Sequence, residues 1–413
     1  MPDHRDRTAA AATTSALLLS GARLADGRTV DVRLGGGRVE AVGTPGSLAA
    51  APGTQRLDLG GYLLLPAPAE PHAHHDTALT SGGGGPPSEE PGRLRRRIIE
   101  AALLQLSHGA TAQRSQIRIG DVLGLRALEA AQGARRALLG LAELQPVAAP
   151  RVLTGLAGAD NRAQLAEAAQ LDGTTLGGCP DLDPDPAGYA EIVLAIADDR
   201  DCPIDLHTDA DDPARFARLV TAAGACRTAV TLGPCTGLSL LPAQGAARAA
   251  DQLAAAGVAV SCLPQSPCAA LPPRRPAWPP TPPVRTLLAA GVTVAAGSGA
   301  VRDAGNPVGR GDPLEAAYLL AVRGACDTFA AYRAVSSAAR AVLGLPKVRI
   351  EPGFPAELLA VRGENLPGAL SLAYSRVVIH RGRVVARTSA VREYCGSPSG
   401  PLAELPRQLD SRN

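Results

Sequence analysis

Eight short apolar runs, most of them followed by a helical stretch, set the tightest limit on how this chain can fold. They lie near residues 63–67, 112–119, 145–149, 175–178, 203–207, 229–232, 258–263 and 292–296. Strands alternating with helices belong to a parallel sheet covered by helices. Eight such strands fit a closed (β/α)8 TIM barrel better than an open sheet. Helices are expected over 92–107, 244–256 and 313–323. Arg93, Arg95, Arg96 and Arg97 in the first of these read as a solvated face. The stretches 82–87 and 271–283 read as loops over the barrel mouth, the second too rich in proline for regular structure.

The two ends of the chain carry a different pattern, short strands separated by glycine turns. Gly35-Gly36-Gly37 is a hairpin signal between two of them. Neither end supplies enough strands for a stable sheet of its own. Residues 15–60 and 348–395 are therefore expected to pair into one small β-sandwich domain, with the barrel, 61–347, inserted between its halves. Residues 1–14 read as disordered and 396–413 as a flexible tail.

Composition narrows the partners. A net charge of +2 gives no reason to expect nucleic acid or an acidic membrane surface, and aromatic residues, at 2%, are too few for base stacking. Lys347 is the only lysine, a bias that a GC-rich genome explains as well as any physical need. The eight cysteines form no C-x-x-C pair, which fits reduced thiols. The apolar run Ala16 to Leu19 is too short for a signal peptide core, and no segment approaches a membrane span. The expectation is a soluble, cytoplasmic protein that handles a small molecule.

The chemistry starts at Glu70-Pro71-His72-Ala73-His74-His75-Asp76, just beyond Tyr62-Leu63-Leu64-Leu65-Pro66. Three of the seven histidines fall within four residues there, which chance explains poorly. Side chains alternate across a strand, so His72 and His74 project to one side and can share a divalent metal. His207, in Asp205-Leu206-His207-Thr208-Asp209-Ala210-Asp211, ends the fifth strand and faces the same mouth, because a barrel keeps its reacting groups at the carboxyl ends of its strands.

These residues resemble the amidohydrolase superfamily, in particular its cytosine deaminase-like branch. The likeness runs through "LLLPAPAEPHAHHDTALT", "GATAQRSQIRI", "CPIDLHTDADDP", "VAAGSGAVRD", "NPVGRGDPLEAAYLLA" and "SSAARAVLGL". It implies hydrolysis of a C–N bond in a small cyclic amide or amidine at one divalent metal, zinc or iron. His72, His74 and His207 carry over as metal ligands. The family's fourth ligand is an aspartate after the eighth strand, where this chain has Gly299. Its proton-shuttling glutamate falls on Ala210 and its sixth-strand histidine on Pro234. Its second-strand Thr-His-Val-Asp run reads Ser115-Gln116-Ile117-Arg118, and its substrate-reading glutamine falls on Arg151.

Asp209 and Asp211 flank the lost glutamate and are the candidate substitutes as a base, although capping a helix is the commoner use of such carboxylates. Cys235 is a candidate fourth ligand, since His3Cys is a sound zinc set, against the commoner role of a buried core thiol. Arg118 and Arg151, if they point inward, favour an anionic small molecule. Two readings follow: a hydrolase with an impaired site, or an inactive homologue that binds or senses a small molecule. Dimers or larger assemblies are common among similar proteins, so homo-oligomers are a further expectation.

Overall fold

The computed structural model describes residues 16–49, 53–82, 87–122, 124–265 and 281–391. The expected disordered N-terminus, the expected tail and most of both mouth loops lie outside the described residues. The chain opens with five strands: β1 (Leu17–Arg23), β2 (Thr29–Gly35), β3 (Arg38–Gly43), β4 (Gln55–Asp58) and β5 (Tyr62–Pro66). Gly36 and Gly37 turn β2 into β3 with φ of +57° and +76°, left-handed values that favour glycine.

The barrel follows as β6 (Ala69–Ala73), β7 (Ala112–Ile119), β8 (Glu143–Pro150), β9 (Thr175–Gly178), β10 (Ile204–Thr208), β11 (Val230–Pro234), β12 (Ala259–Cys262) and β13 (Val294–Ala296). Each pairs in parallel with the next. The ring closes through a parallel bridge between Ala73 and Gly299, where the Gly299 N–H donates to the His72 carbonyl at 3.2 Å. The helix α1 (Pro91–Ser107) packs outside β7, capped by the Glu90 carboxylate. The α/β barrel expected from the alternation is present, with a separate mixed sheet built from both chain ends.

That mixed sheet runs β16 (Arg383–Thr388), β15 (Arg376–His380), β14 (Leu358–Arg362), β5, β1, β2, β3, with β4 beside β1. Its composition corrects one expectation: 63–67 is not the first barrel strand. Tyr62–Pro66 pairs antiparallel with β14 from Leu358↔Pro66 to Arg362↔Tyr62, and Ala69–Ala73 opens the barrel instead. Leu64 packs into the core of the mixed sheet, while Leu63 and Leu65 pack into the barrel's core. Buried on both faces, β5 reads as an unbroken apolar run, the signature of a parallel barrel strand.

A buried ion pair ties the two layers together. Arg376 of β15 donates to both oxygens of Asp312 at 2.8 and 2.6 Å and to the His108 carbonyl at the end of α1 at 2.6 Å. Among the described residues no helix is long and apolar enough to cross a membrane.

Candidate metal centre

His72 is carried by β6 and His74 lies one residue beyond that strand. In β10, Ile204 and Leu206 pack outward into the apolar layer with Val193, Phe216 and Val220. The two-residue period of a strand then turns Asp205 and His207 inward. The three imidazoles meet inside the barrel, their candidate ligand nitrogens within 4.8 Å of one another. Nε2 of His72 lies 2.7 Å from Nε2 of His207, and the His74 ring centroid is 5.3 and 5.1 Å from those of His72 and His207.

Burial, reinforced by the charge of His72, pushes the His74 imidazole down to about 4. Burial, with the charges of His72 and His74, holds His207 well below its ordinary value. Both rings are therefore neutral at pH 7 and present lone pairs, the form that binds metal. Two imidazole nitrogens 2.7 Å apart need either a proton or a cation between them, because two lone pairs facing at that distance repel. The donor set fits a divalent ion such as zinc, which takes imidazole readily and is satisfied by three protein ligands.

No aspartate, glutamate or cysteine joins this group among the described residues. Cys235 is the clearest departure from expectation. It follows β11 with φ of +54° and is fully buried within the barrel's apolar layer, outside the imidazole group. Burial first, then the charges of Asp209 and Asp181, push its thiol well up, which disfavours the thiolate in the metal-free protein. Asp209 is buried and accepts the Thr236 hydroxyl at 2.8 Å, linking the loops after β10 and β11. Asp211 is 42% exposed and paired with Arg215 at 2.7 Å on the surface. Arg151 is exposed, and Arg118, 55% exposed, donates to Asp76 at 3.1 Å. Neither arginine enters the barrel interior as an anion site would require.

The positions where the family resemblance places reactive groups are closed in different ways. Ala210 is buried with φ of +57°, and Pro234 is buried at the end of β11. Gly299 has φ of +67°, and a Cβ there would sit 3.3 Å from Leu263 Cδ1.

Two supporting carboxylates were missed at the sequence level. Asp205 is fully buried, with Oδ1 3.3 Å from His72 Nδ1 and Oδ2 3.7 Å from Arg114 Nη1. It lies two residues before His207 on the same strand, so the strand period could have found it. Glu70 accepts the Ser298 N–H at 2.8 Å, the Ser298 hydroxyl and the His72 N–H at 3.1 Å. Burial outweighs these bonds and pushes its carboxyl up to about 7. Gln105 of α1 donates to Ser298 Oγ at 2.9 Å and pairs through Oε1 with His75 Nε2 at 2.8 Å. This network fastens β6, α1 and the end of β13 behind the imidazoles. Gly297 is required there, because a Cβ would meet Glu70 Oε1 at 2.2 Å.

A family model described as "Amidohydrolase family" matches residues 112–386. The chain is 31% identical over 242 residues to a pterin deaminase of Rhizobium rhizogenes, an alignment covering 55% of this chain and 54% of that relative. The match thus spans about half the length of that curated relative. Among solved structures, N-isopropylammelide isopropylaminohydrolase of Burkholderia multivorans is 26% identical with a TM-score of 0.79, covering 91% of this chain and 100% of its own. A 5-methylcytosine deaminase of Klebsiella pneumoniae bound to 5-fluorocytosine has a TM-score of 0.78 at 20% identity, covering 93% and 100%, and supports the fold alone.

Proposed function

The chain belongs to the amidohydrolase family, and on that premise we propose that it hydrolyses a C–N bond of a small cyclic amide or amidine at a single divalent metal, slowly. In a deamination of this kind one water is consumed, the ring carbon gains a carbonyl oxygen and ammonia leaves. His72, His74 and His207 would hold the metal, and Asp205, facing His72 Nδ1, would keep the Nε2 lone pair turned toward it. When bound, the metal supplies Lewis acidity and a nucleophile at neutral pH.

The observation that carries the reading is the convergence of three buried imidazoles on one point, with no carboxylate joining them among the described residues. It supports metal binding more directly than fast turnover, because positioned acid–base groups contribute roughly 10²–10⁴-fold to such reactions. A second reading, a ligand-binding protein without turnover, is favoured by one specific feature. Ala210, Pro234 and Gly299 offer neither a side-chain proton nor a carboxylate.

Metal analysis of the purified protein, followed by an ammonia-release screen over aminopyrimidines, aminotriazines and pterins, separates the two. The expected result is about one metal per chain, in keeping with a three-imidazole site, and slow ammonia release that a chelator abolishes. Metal without ammonia release favours the binding protein, and failure to take up zinc or iron ends the hydrolytic reading. Asp205→Asn is expected to weaken metal affinity about 10–100-fold in a chelator competition. Unchanged affinity would show that Asp205 does not act through His72.

A further inference from the structure

We propose that Gln116 reads the ring of the bound molecule, pairing its side-chain amide with an adjacent donor and acceptor on a planar cyclic amide or amidine. The inference rests on the functional reading above and adds the group that would recognise the ligand.

The placement follows from the strand. In β7, Ile117 packs outward against Ile98 of α1 and Ala131. Arg114 points the other way, reaching Asp205 across the barrel. Gln116 shares the face of Arg114 and lies one pleat nearer the mouth, below Arg118, whose Nε is held by Asp76 at the rim. The register pairs Ser115 with Ala73, so Gln116 lies one residue beyond that pair, beside the strand that carries His72. It is 4% exposed, and neither its Oε1 nor its Nε2 has a hydrogen-bond partner.

A buried amide with both ends unpaired is costly, and in native structures such groups call for an explanation. Gln105, on the neighbouring helix, shows how such an amide is ordinarily satisfied. Equally buried, it places its oxygen on His75 and its nitrogen on Ser298. At Gln116 the strand's alternation turns the unpaired group to the inner face, beside the strand whose end carries His72 and His74. A primary amide presents one acceptor and one donor side by side, and the pair can be exchanged by a flip about the last torsion. It therefore matches a lactam or ureide edge (N–H beside C=O) and, flipped, an amidine edge (ring nitrogen beside NH2). An anion with acceptors alone would satisfy only half of it.

The full chain is titrated by calorimetry with cytosine, uracil and cyanuric acid, alongside Gln116→Leu and the isosteric Gln116→Glu. The compound that the wild type binds is expected to bind Gln116→Leu about 10–100-fold more weakly, the loss of two hydrogen bonds. The ligand-free melting temperature of Gln116→Leu is expected to stay level or rise, because an unpaired amide is removed. Gln116→Glu keeps the shape and is expected to lose affinity for uracil, since a carboxylate cannot donate to its carbonyl. Binding that is unchanged in both variants overturns the assignment of Gln116 while leaving the proposed function standing. Absence of binding to all three compounds by the wild type overturns the assignment of Gln116, and the proposed function is then decided by the metal analysis and ammonia-release screen.

Discussion

Replacing Asp312 by alanine is expected to remove about 3–5 kcal/mol of stability, the usual result of deleting one partner of a buried ion pair. Its two oxygens hold the Arg376 guanidinium, with side chains 11% and 4% exposed, so solvent screens the pair little. The same carboxylate caps the helix Pro313–Val322 through the Leu314 N–H at 2.9 Å, and that cap is worth about 1 kcal/mol more. Domains are stable by only about 5–15 kcal/mol, so the variant would be marginal. Urea unfolding measures the loss, and the double variant Asp312→Ala/Arg376→Met is expected to recover much of it, because no charge is then buried alone. A loss below about 1 kcal/mol, the range of an exposed pair, would mean that Arg376 finds another partner or water. The effect should also reach the site. Arg376 holds the end of α1 through the His108 carbonyl, and α1 carries the Gln105 that braces Glu70 and His75.

The barrel was legible because its signal is repetitive: β7 and β9 fall on the runs 112–119 and 175–178 read from the sequence. The convergence of His72, His74 and His207 was legible for a related reason, since strand ends and side-chain alternation fix direction. What the sequence hid depends on contacts between distant segments. Leu63-Leu64-Leu65 looks like a barrel strand because burial on two faces erases the alternation that would have assigned it to the mixed sheet. Cys235 looked like a ligand by its place at a strand end, but a residue with φ of +54° no longer follows the strand's alternation. Asp209 lay beside the right position, and its hydroxyl partner Thr236 is 27 residues away. Gln116 carried no signal of its own, because only the packed structure shows that its amide meets nothing.

Restoring the family's reactive groups is expected to raise ammonia release far above the natural protein's rate, and the gain should be uneven across the three positions. Ala210→Glu alone is expected to give about 10²-fold or more, the lower bound for a positioned proton shuttle. Ala210 already has φ of +57°, so the backbone strain is present in the natural chain and the substitution adds only a side chain. Pro234→His adds an electrostatic stabiliser, worth up to about 10²–10³-fold where its ring reaches the reacting carbon. Gly299→Asp is the costly member. Its left-handed backbone penalises any Cβ by about 1–2 kcal/mol. That Cβ would also press on Leu263 at 3.3 Å, next to the N–H that closes the barrel onto His72. The Ala210→Glu/Pro234→His pair is therefore expected to outperform either single variant. Adding Gly299→Asp should help only when Leu263→Ala makes room. The measurement is kcat/KM across the series at equal metal loading, with a melting temperature for each protein. A well-folded, metal-loaded pair no faster than the natural chain would mean that the missing carboxylate and imidazole are not what limits it. The limit would then lie in the mouth itself, and a binding role would account for the site better than hydrolysis.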